Sequence, residues 1–139
     1  MTARSLAEVQ VGDALERQTY VLRRTDLVRY AGASGDFNPI HWSDRVATSV
    51  GLPGVIAHGM YTLALAARAL DTWAGGPGHV VELGAKFSKP VIVPDDDRGV
   101  DVVVRGTVKE VADDGVRVTL EVTCGGEKVL GMPRAVLRA

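Results

Sequence analysis

The spacing of apolar positions changes twice along this 139-residue chain, and the changes mark its elements. Residues 16–22 alternate weakly around Tyr20 and Val21 and predict a strand. Thr25 then reads as a helix N-cap, with Asp26 in the first turn and Leu27, Val28, Tyr30 and Ala31 forming an apolar face. That helix should fail over residues 32–35. Residues 36–41 should be loop, because Pro39 disfavours helix at Asn38. Ser43 can cap a short second helix reaching about Val50. After a turn at residues 51–54, a longer helix should begin near Ala57 and run to about Trp73. Met60, Leu63, Ala64, Leu65, Ala67, Ala69 and Leu70 make it apolar on nearly every side, which predicts burial all round. Residues 75–78, Gly-Gly-Pro-Gly, end it.

From Val80 onward the period is two. Residues 80–88, 100–111, 116–124 and 129–137 read as strands, with Asp113-Asp114-Gly115 and Gly125-Gly126 as hairpin turns. In so short a chain, only a sheet wrapped around the helix could bury it. The expectation is therefore an α+β fold in one domain over residues 1–139, an antiparallel sheet around a long central helix. One helix cannot cover both edges of such a sheet, so a second copy or a related chain is expected to extend it.

Composition narrows the class. A net charge of -1 offers no basic surface for nucleic acid. A lone cysteine, Cys124, leaves no internal disulfide and fits a reducing compartment such as the cytoplasm. The first ten residues have no apolar signal core, so no export signal is expected. The longest apolar stretch, residues 56–70, is interrupted by His58, Gly59 and Arg68. It is too short and too polar to span a bilayer.

Candidate chemistry gathers between Tyr30 and Gly59. Asp36 and His41 stand five positions apart in a loop stiffened by Gly35, Asn38 and Pro39, among Tyr30, Phe37, Ile40 and Trp42. A loop aspartate and histidine are usually turn formers or surface groups. Here the fixed loop and apolar surroundings favour an acid/base pair aimed at a cleft. Further on, His58-Gly59 opens the long helix, whose first-turn N–H groups have no partner inside the helix. Gly59 would let a substrate oxygen approach the backbone closely. A thioester enolate needs such support, since the proton alpha to a thioester is only weakly acidic.

The run Y-A-G-A-S-G-D-F-N-P-I-H, followed by G-V-I-A-H-G-M, resembles the MaoC-like family of (R)-specific enoyl-thioester hydratases and dehydratases. Within it, the likeness is to catalytic subunits of heterodimeric (3R)-hydroxyacyl-carrier-protein dehydratases. The similarity extends from V-x-V-G-D at residues 9–13 to A-K-F-S-K-P-V at residues 85–91 and the final strands. It implies the hotdog fold and reversible syn addition of water to a trans-2-enoyl thioester carried by coenzyme A or acyl carrier protein. Asp36 and His41 would be the catalytic pair, the Gly59 N–H the oxyanion donor, and Asn38 the residue that orients the loop. His58 and Tyr30 are counted with the substrate-binding side. In dehydration, His41 would take the C2 proton while Asp36, or a proton shared by the pair, assists loss of the C3 hydroxyl. No metal or cofactor is implied, and the partner would be a second copy or a related hotdog subunit. Ala67 departs from family members that carry a serine there, which hints at an inner helix face lined for an acyl chain.

Two other readings remain open at this stage. Hotdog thioesterases often place a carboxylate on the central helix, and here no acid precedes Asp71. Non-catalytic acyl-binding subunits lose the Asp/His pair, which this chain keeps. Elsewhere, Asp95-Asp96-Asp97 reads as a solvated loop, because consecutive carboxylates converge poorly on one ion. Lys86, Lys89 and Arg98 are candidates for meeting carrier phosphates. Tyr30 can pack between helix and sheet or line the pocket mouth. Trp42 and Trp73 are expected in core or interface, and Cys124 in a buried strand position.

Overall fold

The computed structural model describes residues 5–139. The expectation about export rests in part on residues 1–4, which lie outside the described residues. The first strand, β1 (Ala14–Leu22), is followed by α1 (Arg24–Ser34), α2 (Asp44–Ser49) and α3 (Gly59–Ala74), and then by β2 (Val80–Phe87), β3 (Val100–Ala112), β4 (Gly115–Cys124), β5 (Glu127–Lys128) and β6 (Leu130–Leu137). The antiparallel sheet runs β1-β3-β4-β6-β2, with the two-residue β5 beside β4. It curls around α3, which packs against β1, β2 and β3. This is the hotdog architecture.

Alternation explains the core. Val102, Val104 and Val108 of β3 and Val116, Val118, Leu120 and Val122 of β4 are all buried, because every second side chain points inward. Gly106 keeps this rhythm without a side chain: a Cβ there would lie 2.9 Å from Leu120 Cδ2 and 3.2 Å from Leu15 Cβ. Helix α3 inserts Leu65, Ala66, Ala69, Leu70, Trp73 and Ala74. Leu70 is fully buried. Leu70→Ala is expected to lower stability by about 2–5 kcal/mol, read as a shift of the urea midpoint at unchanged slope. The β4–β5 turn at Gly125-Gly126 has φ of 60° and 79°. Two consecutive positive φ values are what a tight hairpin requires.

Helix α1 ends inside the expected residues 32–35: it continues through Gly32 to Ser34, and Gly35 is the residue that turns left-handed, at φ 76°. A glycine inside a helix costs only about 1 kcal/mol, which the burial of Leu27 and Ala31 offsets. Thr25 is not the N-cap: Arg23 is, and the Asp26 carboxylate accepts the Arg23 N–H at 2.8 Å. Helix α3 begins at Gly59 rather than Ala57, because Val55–Ala57 is drawn out as extended chain. The Ala57 N–H bonds Val91 O and the Val93 N–H bonds Val55 O.

Burial of α3 all round is also corrected. Met60, Ala64, Arg68 and Thr72 form an exposed stripe at a spacing of four. One curled sheet covers one side of a helix, and among the described residues this stripe is left open. Trp73 is core, Trp42 is exposed, and Cys124 is half-buried rather than buried. Among the described residues, strands β1 and β2 stand at the two ends of the strand order. Among the described residues, no helix is long and apolar enough to cross a membrane.

Candidate active site

The loop between α1 and α2 is fixed by its own side chains. Asp36 Oδ1 accepts the Asn38 N–H at 3.1 Å, and Asn38 Oδ1 accepts the Ile40 N–H at 3.2 Å. Such Asx turns hold the backbone where Pro39 forbids a helix from forming earlier. Pro39–His41 then makes one 3-10 turn, and the Trp42 indole N–H donates to Phe37 O at 2.9 Å. The result turns Asp36 Oδ2 towards His41 Nε2, 3.9 Å away. That gap is too long for a direct hydrogen bond. It fits one oxygen atom bonded to both groups.

The tautomer of His41 follows from its other nitrogen. Nδ1 lies 2.8 Å from Ile56 O. A carbonyl only accepts, so Nδ1 carries the hydrogen and the neutral ring presents a lone pair at Nε2, towards Asp36. Ile56 is itself held in place. Its N–H bonds Ile40 O at 3.2 Å, and it bridges Ile92. Next to it, the Val55 N–H donates to Asp44 Oδ1 at 2.9 Å, while Arg24 Nη2 donates to both Asp44 oxygens and Arg24 Nε to Val93 O.

The Val55 N–H first and the Arg24 guanidinium second hold the Asp44 carboxyl below the usual carboxylate range. A lowered folded-state pKa contributes stability that is present above the unfolded value of about 4 and lost as pH falls through the folded value. Asp44→Asn is therefore expected to lower Tm at neutral pH and to flatten the wild-type loss of Tm below about pH 4. Thermal melts between neutral pH and pH 3 measure both.

His41 opens on a cavity of about 340 Å³ whose wall includes Gly59, Thr62, Ile56, Phe87, Val91 and Leu130. Gly59 is the first residue of α3, and its N–H is one of those with no partner inside the helix. A Cβ on Gly59 would stand 3.0 Å from the Phe87 ring. The missing side chain is what lets the cavity reach the helix end. A larger hollow of about 790 Å³ lies on the sheet around Glu82, Lys109 and Arg134. It shares no lining residue with the cavity at His41. Its Arg117 is engaged by Asp114 and Glu110.

The remaining candidates fall in different places. Asn38 sits in the loop as expected. His58 is 2% exposed and does not line the cavity: its Nε2 lies 3.1 Å from Asp36 O and its ring stacks on His41 at 3.8 Å. Tyr30 packs edge-on against His58 and Tyr61 and is likewise off the cavity wall. Ala67 does not line the cavity either. Lys89 is at its rim, paired with Glu127 at 3.1 Å. Sequence reasoning missed Thr62, Phe87 and the Ile56 carbonyl. Thr62 carried a signal, a polar residue one turn after Gly59 on an apolar helix. The carbonyl carried none.

Asp36, His41 and His58 offer ligand atoms within 4.8 Å of one another. The set fits a metal poorly. His41 Nδ1 and His58 Nε2 are committed to carbonyls, and the two rings lie stacked only 23° from parallel, whereas metal-binding imidazoles aim their in-plane lone pairs at a common point.

Comparison with known proteins agrees with the fold. A family model described as "MaoC like domain" matches residues 7–125. The chain is 34% identical over 126 residues to a 3-hydroxybutyryl-CoA dehydratase of Methylorubrum extorquens, covering 88% of this chain and 75% of that protein. A solved MaoC-like dehydratase superposes with a TM-score of 0.92 at 38% identity, over 98% of this chain but 42% of that one. The chain thus spans less than half of that solved chain's length. An R-hydratase from Pseudomonas aeruginosa superposes with a TM-score of 0.83 at 30% identity, over 97% of this chain and 84% of that one.

Proposed function

This chain belongs to the MaoC-like family, and on that footing we propose that it interconverts trans-2-enoyl and (3R)-3-hydroxyacyl thioesters by adding or removing water. The observation that supports this reading is the 3.9 Å gap between Asp36 Oδ2 and His41 Nε2, with His41 on the wall of an apolar cavity that also reaches Gly59. A water in that gap would be held by both side chains on the same side of the double bond, which gives syn addition.

In dehydration, His41 Nε2 takes the C2 proton. The electron pair moves into the thioester carbonyl, whose oxygen receives the Gly59 N–H. The pair then returns to form the C2–C3 double bond as the C3–O bond breaks. The hydroxyl leaves as water, with its proton supplied through the Asp36–His41 pair. Hydration runs the same steps backwards. Apolar residues Ile56, Val91, Val129 and Leu130 receive the acyl chain, and Lys89 at the rim faces the carrier, coenzyme A or acyl carrier protein. The β2 end of the sheet and the exposed stripe of α3 are the surfaces for a second copy or a related hotdog subunit.

The test is the fall in enoyl-thioester absorbance when purified protein is added to crotonyl-CoA and longer enoyl-CoA substrates, with mass in solution measured alongside. Unchanged absorbance across the ladder, for the chain alone and with a related subunit, would sink the reading.

A further inference from the structure

Among the described residues, His58 is a buried titratable side chain to which the proposed reaction gives no task. It is 2% exposed, and its Nδ1 is buried without any hydrogen-bond partner. Buried polar atoms left unpaired are rare and call for a physical reason. The contacts of His58 supply one. Its Nε2 lies 3.1 Å from Asp36 O, and since a carbonyl only accepts, Nε2 carries the hydrogen. Its ring stacks on His41 at 3.8 Å and 23°. The Tyr30 ring meets it edge-on at 4.7 Å and is itself met edge-on by Tyr61. One side chain thus touches the backbone of the acid and the face of the base.

From this we infer that His58 is a positioning residue: as a neutral Nε2–H imidazole it fixes the spacing between Asp36 and His41 and contacts no substrate. Neutrality matters because a positive ring stacked on His41 would oppose a proton arriving there. Burial lowers the His58 pKa below the ordinary imidazole value. The Asp36 carbonyl opposes this, His41 adds to the lowering, and the Asp36 carboxylate opposes it weakly. The free lone pair at Nδ1 is what the Nε2–H tautomer leaves behind. The groups facing the ring are Asp36 and His41 from the loop and Tyr30 from α1.

The inference rests on the proposed reaction for its kinetic arm only. Three proteins are compared: the wild type, His58→Phe, which keeps a stacked ring without a donor, and His58→Gln, which keeps an N–H able to reach Asp36 O. His58→Phe is expected to lose about tenfold or more in kcat with KM nearly unchanged, as one lost positioning contact does. His58→Gln is expected to recover part of that loss. Wild-type kcat in His58→Phe, a raised KM at constant kcat, or equal losses in both variants would overturn the proposal. A spectroscopic arm needs no activity. Nitrogen-15 spectra of the His58 ring should show the neutral Nε2–H pattern from pH 8 down through 6.5, and an imidazolium pattern at pH 6.5 would overturn it. If His58→Phe does not fold, His58→Gln and the ring spectrum still decide. If the wild type hydrates no enoyl thioester, the reaction is wrong while the ring spectrum still judges His58.

Discussion

Asp36→Asn and His41→Ala are each expected to reduce turnover of crotonyl-CoA by about 10²–10⁴-fold, the range general acid/base groups contribute. The two losses should not add. Both side chains would hold one oxygen across a 3.9 Å gap, and residues that act as a unit lose most of their effect with the first substitution. The double variant is therefore expected to fall little below the weaker single one. Structure should survive in both. The Asp36 side chain is 51% exposed, and Asn retains the acceptor that meets the Asn38 N–H. His41→Ala loses the bond to Ile56 O, so its melting temperature must be recorded beside its rate. Wild-type rates in either variant would remove that residue from the mechanism.

Gly59→Ala is expected to separate activity from stability. Gly59 does not occupy the left-handed region, so the backbone accepts alanine, a better helix former. The added Cβ stands 3.0 Å from the Phe87 ring. The ring must shift, and because Phe87 is 58% exposed it has somewhere to go. The shift moves one cavity wall and sets a methyl group beside the N–H assigned to the enolate oxygen. Misplacing reacting atoms by about 1 Å costs on the order of 10²-fold. The expected result is a kcat about 10²-fold lower at an unchanged or higher Tm. Wild-type kcat in Gly59→Ala would detach the helix end from the chemistry.

Much of this fold was legible because valine was so regularly placed. Val102, Val104 and Val108, then Val116, Val118 and Val122, declare two strands and the face each buries. The Asp36–His41 pairing was legible for a different reason, since Gly, Asn and Pro between them leave the loop few conformations. What failed did so where two outcomes share one composition. The end of α1 was legible to within residues 32–35, but Gly32 and Gly35 look alike, and which of them turns left-handed depends on whether packing of Leu27 and Ala31 carries the helix past the first. Met60 and Ala64 are apolar whether or not anything covers them, so the exposed stripe of α3 could not be told from a buried face. The Ile56 carbonyl that sets the His41 tautomer belongs to the backbone, and any residue there would display the same oxygen. Asp44 is an ordinary helix-start carboxylate until the fold brings Arg24 and Val55 to it.

All the groups assigned to the chemistry lie within residues 36–59, whereas the far wall of the cavity comes from Val91, Val129 and Leu130. On the proposed reaction, the catalytic geometry is carried by one stretch of chain, while acyl capacity is shared between Ile56 of that stretch and residues far from it in sequence. Drift at residues 129 and 130 can deepen or shorten the cavity while leaving the Asp36–His41 spacing untouched. On the proposed reaction, such a layout is modular: acyl capacity changes by exchanging a few strand residues without moving Asp36 or His41.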